Sequence, residues 1–364
     1  MVAVAASAVT LTVTLGVWLN GQGNNKLLRL ENLLVERFVD GADRQALQDA
    51  AAEAMVEQLD RWSDYIPASE SEDYADRRNN AYVGIGVTLQ DAESYYVGEV
   101  AEGGPAQKVG IQVGDLLIAA DGQPLENLPV SEGRNLIRGK EGSTVEITVL
   151  RQGQKMTFTV TRATIKTLVA TGQLLQDGIG LVTINNFNTG CMTQTKAAID
   201  SLLSQGVTAL IFDVRDNPGG YASEMVDVLD YLLPEGLELF HTMDYQGKET
   251  VEVANDGYQV ELPMAVLVNG SSYSAAEFFA AVLQEYDRAI VVGERTSGKG
   301  YYQVTYELGD GSAVALSVGK YITPKGISLE GVGITPDILA KKDEAEADNP
   351  LFEAINALKS ANNS

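Results

Sequence analysis

Histidine and cysteine are almost absent from this chain, with one of each in 364 residues. A single cysteine, Cys191, excludes an internal disulfide and any cysteine zinc cluster. It reads as a small buried residue. The single histidine, His241, closes the apolar run Leu237–Phe240. Any Ser-His-Asp triad would have to use it. Positive charge is also scarce: 26 Lys and Arg stand against 50 Asp and Glu, a net charge of −24. Phosphate backbones need clustered cations, so nucleic acid is excluded as a partner. Self-repulsion at this charge suits a soluble domain that stays apart from its neighbours. Neither a G-x-x-x-x-G-K-[ST] loop nor an H-E-x-x-H pair occurs, so no metal and no cofactor is expected. Charge of either sign is missing from Met1 to Asn20, and the first charged residue is Lys26. That segment is long enough to cross a bilayer as a helix. It lacks a basic n-region, and no A-x-A cleavage site follows a full apolar core. The expectation is an uncleaved signal anchor over residues 1–25, with the rest of the chain outside the cytoplasm. The alternative is a cleaved signal and a secreted protein.

What is present describes an ordinary folded protein: 45% hydrophobic and 21% charged residues. The length allows two or three domains. The chain is organised around Met264–Gln303. Met264–Val268 is a short apolar run of the kind that makes a buried parallel strand. Asn269-Gly270 breaks it, and Ala275 to about Tyr286 has helical periodicity. Ala289–Val292 is a further strand, followed by the loop Thr296-Ser297-Gly298-Lys299-Gly300. Ser274 therefore sits where the chain enters a helix. The N–H groups of a first helical turn have no internal partner and favour developing negative charge. That suits a nucleophile. The same residue opens Ser274-x-x-Glu277, the spacing of a plain capping box. A serine hydroxyl needs a base, and the candidates are His241 and Lys299. Lys299, between two glycines, could serve only when uncharged, which burial favours.

Earlier in the chain, Ala209–Val214 is a buried strand that ends in Arg215-Asp-Asn-Pro-Gly-Gly220. In an α/β sheet such a loop lies at the carboxyl end of its strand, where functional loops gather. Ile179–Ile184 reads as a strand, with helices at Gln194–Leu203 and Met225–Leu233. Between about Asn79 and Arg162 lies a separate β-rich unit. It runs from Tyr82-Val-Gly-Ile-Gly-Val87 through a short helix ending at Gly110, a hairpin at Asp121-Gly122 and a helix over Leu128–Ile137. Two strands then pair across Gln152-Gly153. Ahead of it are two amphipathic helical patterns, Leu27–Val39 and Ala42–Trp62. They either pair with a second copy, giving a homodimer, or cover their own domain. Asn349–Ala361 reads as a peripheral helix.

The stretches VLVNGSSYSAAE, RAIVVG and TSGKGYYQ resemble the carboxyl-terminal processing peptidases, serine peptidases with a Ser/Lys dyad and an attached PDZ domain. The family pattern is V-L-V-N-x-x-S-A-S-A-S-E, R-A-x-V-V-G and T-F-G-K-G-x-x-Q. The resemblance covers about residues 60 to 355. It implies an α/β catalytic core of the ClpP/crotonase type, with an inserted PDZ domain (α+β) and amino-terminal helices. The implied divisions are 26–78 for the helices, 79–163 for the PDZ domain, 164–340 for the core and 341–364 for a tail. It implies that Ser274 is the nucleophile, Lys299 the base and Gln303 the residue that orients the lysine. The loop Asp213–Gly220 matches D-L-R-x-N-P-G-G. By that match, Ala275 and either Gly219 or Gly220 form the oxyanion hole. The order of the 79–162 unit resembles a PDZ domain, and Gly84, Ile85 and Gly86 would hold a peptide carboxylate. Arg138 is a candidate for contact with the peptide or the core. Tyr273, Ala276 and Ser297 depart from the family pattern, and Tyr273 could narrow the mouth of the site.

The expected function is an endopeptidase acting on extracytoplasmic proteins, often near their carboxyl ends. Its partners would be unfolded or free-ended protein and peptide substrates. Its PDZ domain would grip substrate and gate the site. Two other readings stay open on sequence alone. One is a non-catalytic PDZ scaffold on an inactive peptidase fold; the other is a hydrolase with a triad built on His241.

Overall fold

The computed structural model describes residues 26–91, 94–255, 260–341 and 348–361. The apolar Met1–Asn20 segment and the last three residues lie outside them. Among the described residues, no helix is long and apolar enough to cross a membrane. The described residues fall into two compact units, one from residues 26–71 and 303–317, the other from those between 72 and 302 and between 318 and 361.

In the smaller unit, helix α1 spans Lys26–Arg37 and α2 spans Arg44–Val56. The second ends earlier than its sequence pattern, because the chain turns after Val56. Asp43 caps α2 by accepting from Ala46 N–H at 2.8 Å. An Arg44–Glu31 ion pair joins the two helices. Neither helix buries a side chain, and Leu27, Leu30 and Leu33 stay exposed. Strand Asp64–Ile66 pairs antiparallel with Ala313–Ala315. Gln303 donates through Nε2 to Ser317 Oγ at 3.1 Å, and Ser317 Oγ donates to Asp60 at 3.3 Å.

The larger unit opens on helix α3, Ser71–Asn79, which belongs to this unit from Glu72 onward. Its sequence shows no apolar stripe, so periodicity does not reveal it. The β-rich unit follows with helices α4, Pro105–Val109, and α5, Val130–Ile137. Gly110 stops α4 in the left-handed region, at φ 95°. Strands Thr144–Arg151 and Gln154–Thr161 form the expected hairpin, in register from Thr144↔Thr161 to Arg151↔Gln154. Ile85, Val97, Leu117, Leu125, Ile147 and Val149 build its core.

Most of the remainder is built on a six-stranded sheet, beside which Glu238–Asp244 and Glu249–Val253 pair in a separate one. The strands of the six-stranded sheet are β1 (Ala170–Leu174), β2 (Ile179–Ile184), β3 (Ala209–Asp213), β4 (Met264–Val268), β5 (Ala289–Gly293) and β6 (Ile338–Leu339), in that spatial order. All neighbours from β2 onward are parallel, and β1 is an antiparallel edge. Every residue of β4 is buried, as an interior parallel strand requires. Alternate side chains serve opposite faces. Leu210, Phe212, Val266 and Val268 pack under helices α6 (Cys191–Ser204), α7 (Ala222–Leu232) and α8 (Ala275–Glu285). Ile211, Ala265 and Leu267 pack under α9 (Asn349–Ala361). Phe279 of α8 lies 5.6 Å from the Phe187 ring and 5.5 Å from that of Phe212, which fixes α8 on the sheet.

Candidate active site

The register Asp213↔Leu267 sets the carboxyl ends of β3 and β4 side by side. The two loops that leave them are stitched together. Asp216 and Asn269 exchange two bonds of 3.0 and 2.9 Å. Buried Ser272 donates to the Val214 carbonyl at 2.7 Å, and Tyr273 N–H donates to the Asn217 carbonyl at 3.1 Å. The loop after β5 joins them through Ser297 N–H to the Ser272 carbonyl and Ser297 Oγ to the Gly270 carbonyl.

Ser274 is the N-cap of α8, at φ 58° and ψ −126°. This region is costly for a residue with a side chain, on the order of 1–3 kcal/mol, and persists only where its surroundings impose it. The imposing group is Glu277, a fully buried carboxylate. Its Oε2 accepts from Ser274 N–H at 2.9 Å and from Lys299 N–H at 2.8 Å. Its Oε1 accepts from Gly298 N–H at 2.8 Å and from the Thr296 hydroxyl. One carboxylate oxygen thus holds the backbones of Ser274 and Lys299 together. The Ser274–Glu277 spacing does make the cap contact expected from sequence. The three further bonds to the lysine loop come from a segment 19 to 22 residues away. No sequence interval announces them.

Gly300 N–H donates to Glu330 at 2.8 Å, and Gly331 N–H donates to the Gly298 carbonyl at 3.0 Å. Gly298 needs both its φ of 80° and its missing side chain, since a Cβ there would meet Val332 N at 2.9 Å. The Lys299 ammonium stands 5.8 Å from the centre of the Tyr273 ring. Burial pushes the Tyr273 phenol up. Tyr273, one of the departures from the family pattern, is therefore beside the lysine.

Gly219 and Gly220 differ in their bonding. Gly219 N–H is taken by Asn217 Oδ1 at 2.8 Å. A Cβ on Gly219 would lie 2.9 Å from Ser274 Cβ and 3.0 Å from Ala275 N, so its backbone abuts the serine. Gly220 is fixed from both sides by Phe187, whose N–H donates to the Gly219 carbonyl and whose carbonyl accepts from Tyr221 N–H, each at 2.8 Å. Among the described residues, no acceptor takes the N–H of Gly220 or of Ala275. Arg215 bonds Asp213 and Asp348 with two contacts each, between 2.6 and 2.9 Å. Burial works against its charge, and the two carboxylates outweigh it. The ion pair Asp213–Arg215 expected from sequence is present, and Asp348 at the start of α9 extends it.

His241 sits on the strand Glu238–Asp244 and contacts Glu238 Oε2 at 3.1 Å. No hydrogen bond joins it to Ser274. A triad built on it has no support in this geometry. Cys191 is buried as expected, and burial pushes its thiol up to about 12.

The second feature is a cavity of about 720 Å3 in the β-rich unit. Gly84, Ile85 and Gly86 line it with Leu128, Ile137 and Arg138. The Ile85 and Gly86 carbonyls are taken by Ala106 and Ala101 N–H. Arg138 pairs with Asp73 and, at 3.1 Å, with Asp76 of α3.

A family model for peptidase family S41 matches residues 178–340, and a PDZ domain model matches residues 81–161. The carboxy-terminal processing protease CtpA of Bacillus subtilis is 30% identical over 370 residues, covering 98% of this chain and 79% of its own length. A CtpA-like serine protease of Staphylococcus saprophyticus is 29% identical over 366 residues, covering 98% and 73%. Among solved structures, the photosystem II D1 C-terminal processing protease matches with a TM-score of 0.50 and 28% identity, covering 86% of each chain.

Proposed function

The chain belongs to peptidase family S41 and is a serine-type peptidase with a PDZ domain, and from that premise we propose that Ser274 is its nucleophile and Lys299 its general base. The observation that carries this reading is the shared carboxylate oxygen of Glu277, which ties Ser274 N–H and Lys299 N–H to one point. The uncharged Lys299 amine takes the proton from Ser274 Oγ as Oγ adds to the substrate carbonyl. The resulting oxyanion accepts from Ala275 N–H and Gly220 N–H. Gly220 is assigned over Gly219 because the Gly219 amide already donates to Asn217. Collapse expels the amine, which leaves with the proton from Lys299. Water then repeats the sequence on the acyl-enzyme. Gln303 is retained as the orienting residue implied by the family pattern, and its amide nitrogen is itself oriented by Ser317.

Substrates are proteins and peptides. We further propose cleavage near carboxyl ends, with the terminal carboxylate held by the Gly84–Gly86 loop and Arg138, and gating by the PDZ domain. The domain limits 79–163, 164–340 and 341–364, the membrane anchor at 1–25, the extracytoplasmic location and a homodimer through α1 and α2 belong to the same proposal. The exposed leucines of α1 support the dimer. Sedimentation of a Leu30→Asp, Leu33→Asp variant tests it, and an unchanged mass would refute it. Fractionation of cells expressing the full chain tests the anchor, and recovery in the soluble fraction would refute it.

The central test is casein hydrolysis by the wild type and by Ser274→Ala, Lys299→Ala, Lys299→Arg and His241→Ala. The first three should be inactive, Lys299→Arg because guanidinium stays protonated. His241→Ala should keep most activity. The wild-type rate should rise with pH as the lysine loses its proton. Turnover by Lys299→Arg, or a dead but folded His241→Ala, would overturn the dyad.

A further inference from the structure

Helix α3 lies outside both matched families, which begin at residues 81 and 178. Yet it is fastened to both functional features of the larger unit. From its first and second turns, Asp73 and Asp76 hold Arg138, which lines the Gly84–Gly86 groove, and Asp73 also lies 3.8 Å from Arg134 of the same groove. At its carboxyl-terminal end, the Arg78 guanidinium stacks 3.8 Å from the centre of the Tyr221 ring. Tyr221 follows Gly220 directly. The same end grips the segment that fixes Gly220 from the other side. Asn188 Nδ2 donates to the Arg77 carbonyl at 3.1 Å, and Thr189 N–H donates to the Arg78 carbonyl at 3.2 Å. Asn80 and Asn186 exchange two bonds of 3.0 Å.

Gly220 thus has two supports, the Phe187–Thr189 segment and the Tyr221 ring, and α3 contacts both. A cation held over an aromatic face contributes up to about 2 kcal/mol where water is partly excluded. We propose that Arg78 is a positioning residue for the peptidase reaction, acting through Tyr221 on the Gly220 N–H, and that α3 makes this hold respond to what occupies the groove. A terminal carboxylate at Arg138 competes with Asp73 and Asp76 for the same guanidinium. Losing those partners loosens the helix whose carboxyl-terminal residues hold the oxyanion loop. The inference rests on the reading of Ser274 as nucleophile with Gly220 as donor.

The test uses the full chain and a small ester substrate that does not reach the groove. Arg78→Ala should lower kcat about tenfold with KM little changed. Binding of a peptide boronate, which forms a tetrahedral serine adduct, should weaken by the same factor. Tyr221→Leu should do likewise, and the double variant should be no worse than either single one. A short peptide ending in apolar residues with a free carboxylate should change wild-type ester turnover, while its carboxamide should not. The Asp73→Asn, Asp76→Asn variant should reproduce that change without peptide, and Arg78→Ala should not respond. Wild-type kcat in Arg78→Ala, additive losses in the double variant, or an unaltered peptide response would each overturn the proposal. Labelling of Ser274 by a fluorophosphonate separates the failures. If Ser274 is labelled and Arg78→Ala is unimpaired, only this inference falls. If Ser274 is not labelled, the reading beneath it falls.

Discussion

Two glycine-flanked loops of this chain treat their backbone amides in opposite ways. In Gly298-Lys299-Gly300, all three N–H groups are taken by carboxylates, two by Glu277 and one by Glu330. In Gly84-Ile85-Gly86, the carbonyls are the bonded side, through Ala106 and Ala101. The first arrangement immobilises the loop that carries Lys299, the base proposed above. Charge-assisted bonds in a buried setting are the strong ones, and a near-attack geometry tolerates little drift. The second holds a loop from behind, through the carbonyls of Ile85 and Gly86. A serine-type peptidase with a PDZ domain needs both: a rigid site for bond cleavage and an adaptable edge for a peptide.

The sharpest way to break the contrast is at Glu277. Glu277→Ala leaves four donors, two of them in fully buried bonds, without this acceptor. It should remove activity by about 10²-fold or more and cost about 3 kcal/mol of stability. Glu277→Gln, which can accept but not carry charge, should fall between. Peptide hydrolysis and thermal unfolding measure both, and near-normal kcat in Glu277→Ala would refute the clamp. Phe279→Ala should cost about 3–5 kcal/mol by opening a cavity between Phe187 and Phe212. Urea denaturation checks it, and a loss under 1 kcal/mol would mean that α8 is held otherwise.

On the groove side, Arg138→Ala should weaken a peptide with a free carboxylate about tenfold and its carboxamide hardly at all. Equal losses for both by calorimetry would remove Arg138 from the carboxylate site. Asp115 offers a pH test of the same domain. Arg151 bonds it and lowers its pKa below the ordinary 3.8, with burial opposing. Because the native value is the lower one, its stabilisation is full above 3.8 and is lost as pH falls through that lower value. Asp115→Asn should therefore flatten the acid limb of PDZ unfolding, and an unchanged limb contradicts this. The smallest effect belongs to Tyr273. Tyr273→Leu keeps bulk but removes the ring face from Lys299, and should change kcat by less than about fivefold. Tyr273→Phe should match the wild type. A much larger loss in Tyr273→Phe would give the hydroxyl a role that its ring alone does not explain.

Most strands and helices of the core were legible because their patterns are local. Continuous apolar runs such as Met264–Val268 admit few readings other than a buried strand, and Ser274 at the turn into α8 follows from spacing. The edge strand Ala170–Leu174 and helix α3 were not legible. The first is mostly exposed, and the second carries five charged residues in nine, so neither shows a periodic apolar face. The capping-box reading of Glu277 was correct for one bond and silent on three.

The sequence by itself determined the family, the strand and helix on either side of Ser274 and the residue types able to do serine chemistry with one histidine in the chain. These are properties of local pattern and of motif spacing. Tertiary structure alone decided which glycine amide is spent on Asn217, which carboxylate oxygen joins Ser274 to Lys299, and that Arg78 reaches Tyr221. Each depends on where distant segments meet when the sheet closes. A hydrogen bond needs its two atoms within about 3 Å in a set direction, and sequence intervals carry no such vector.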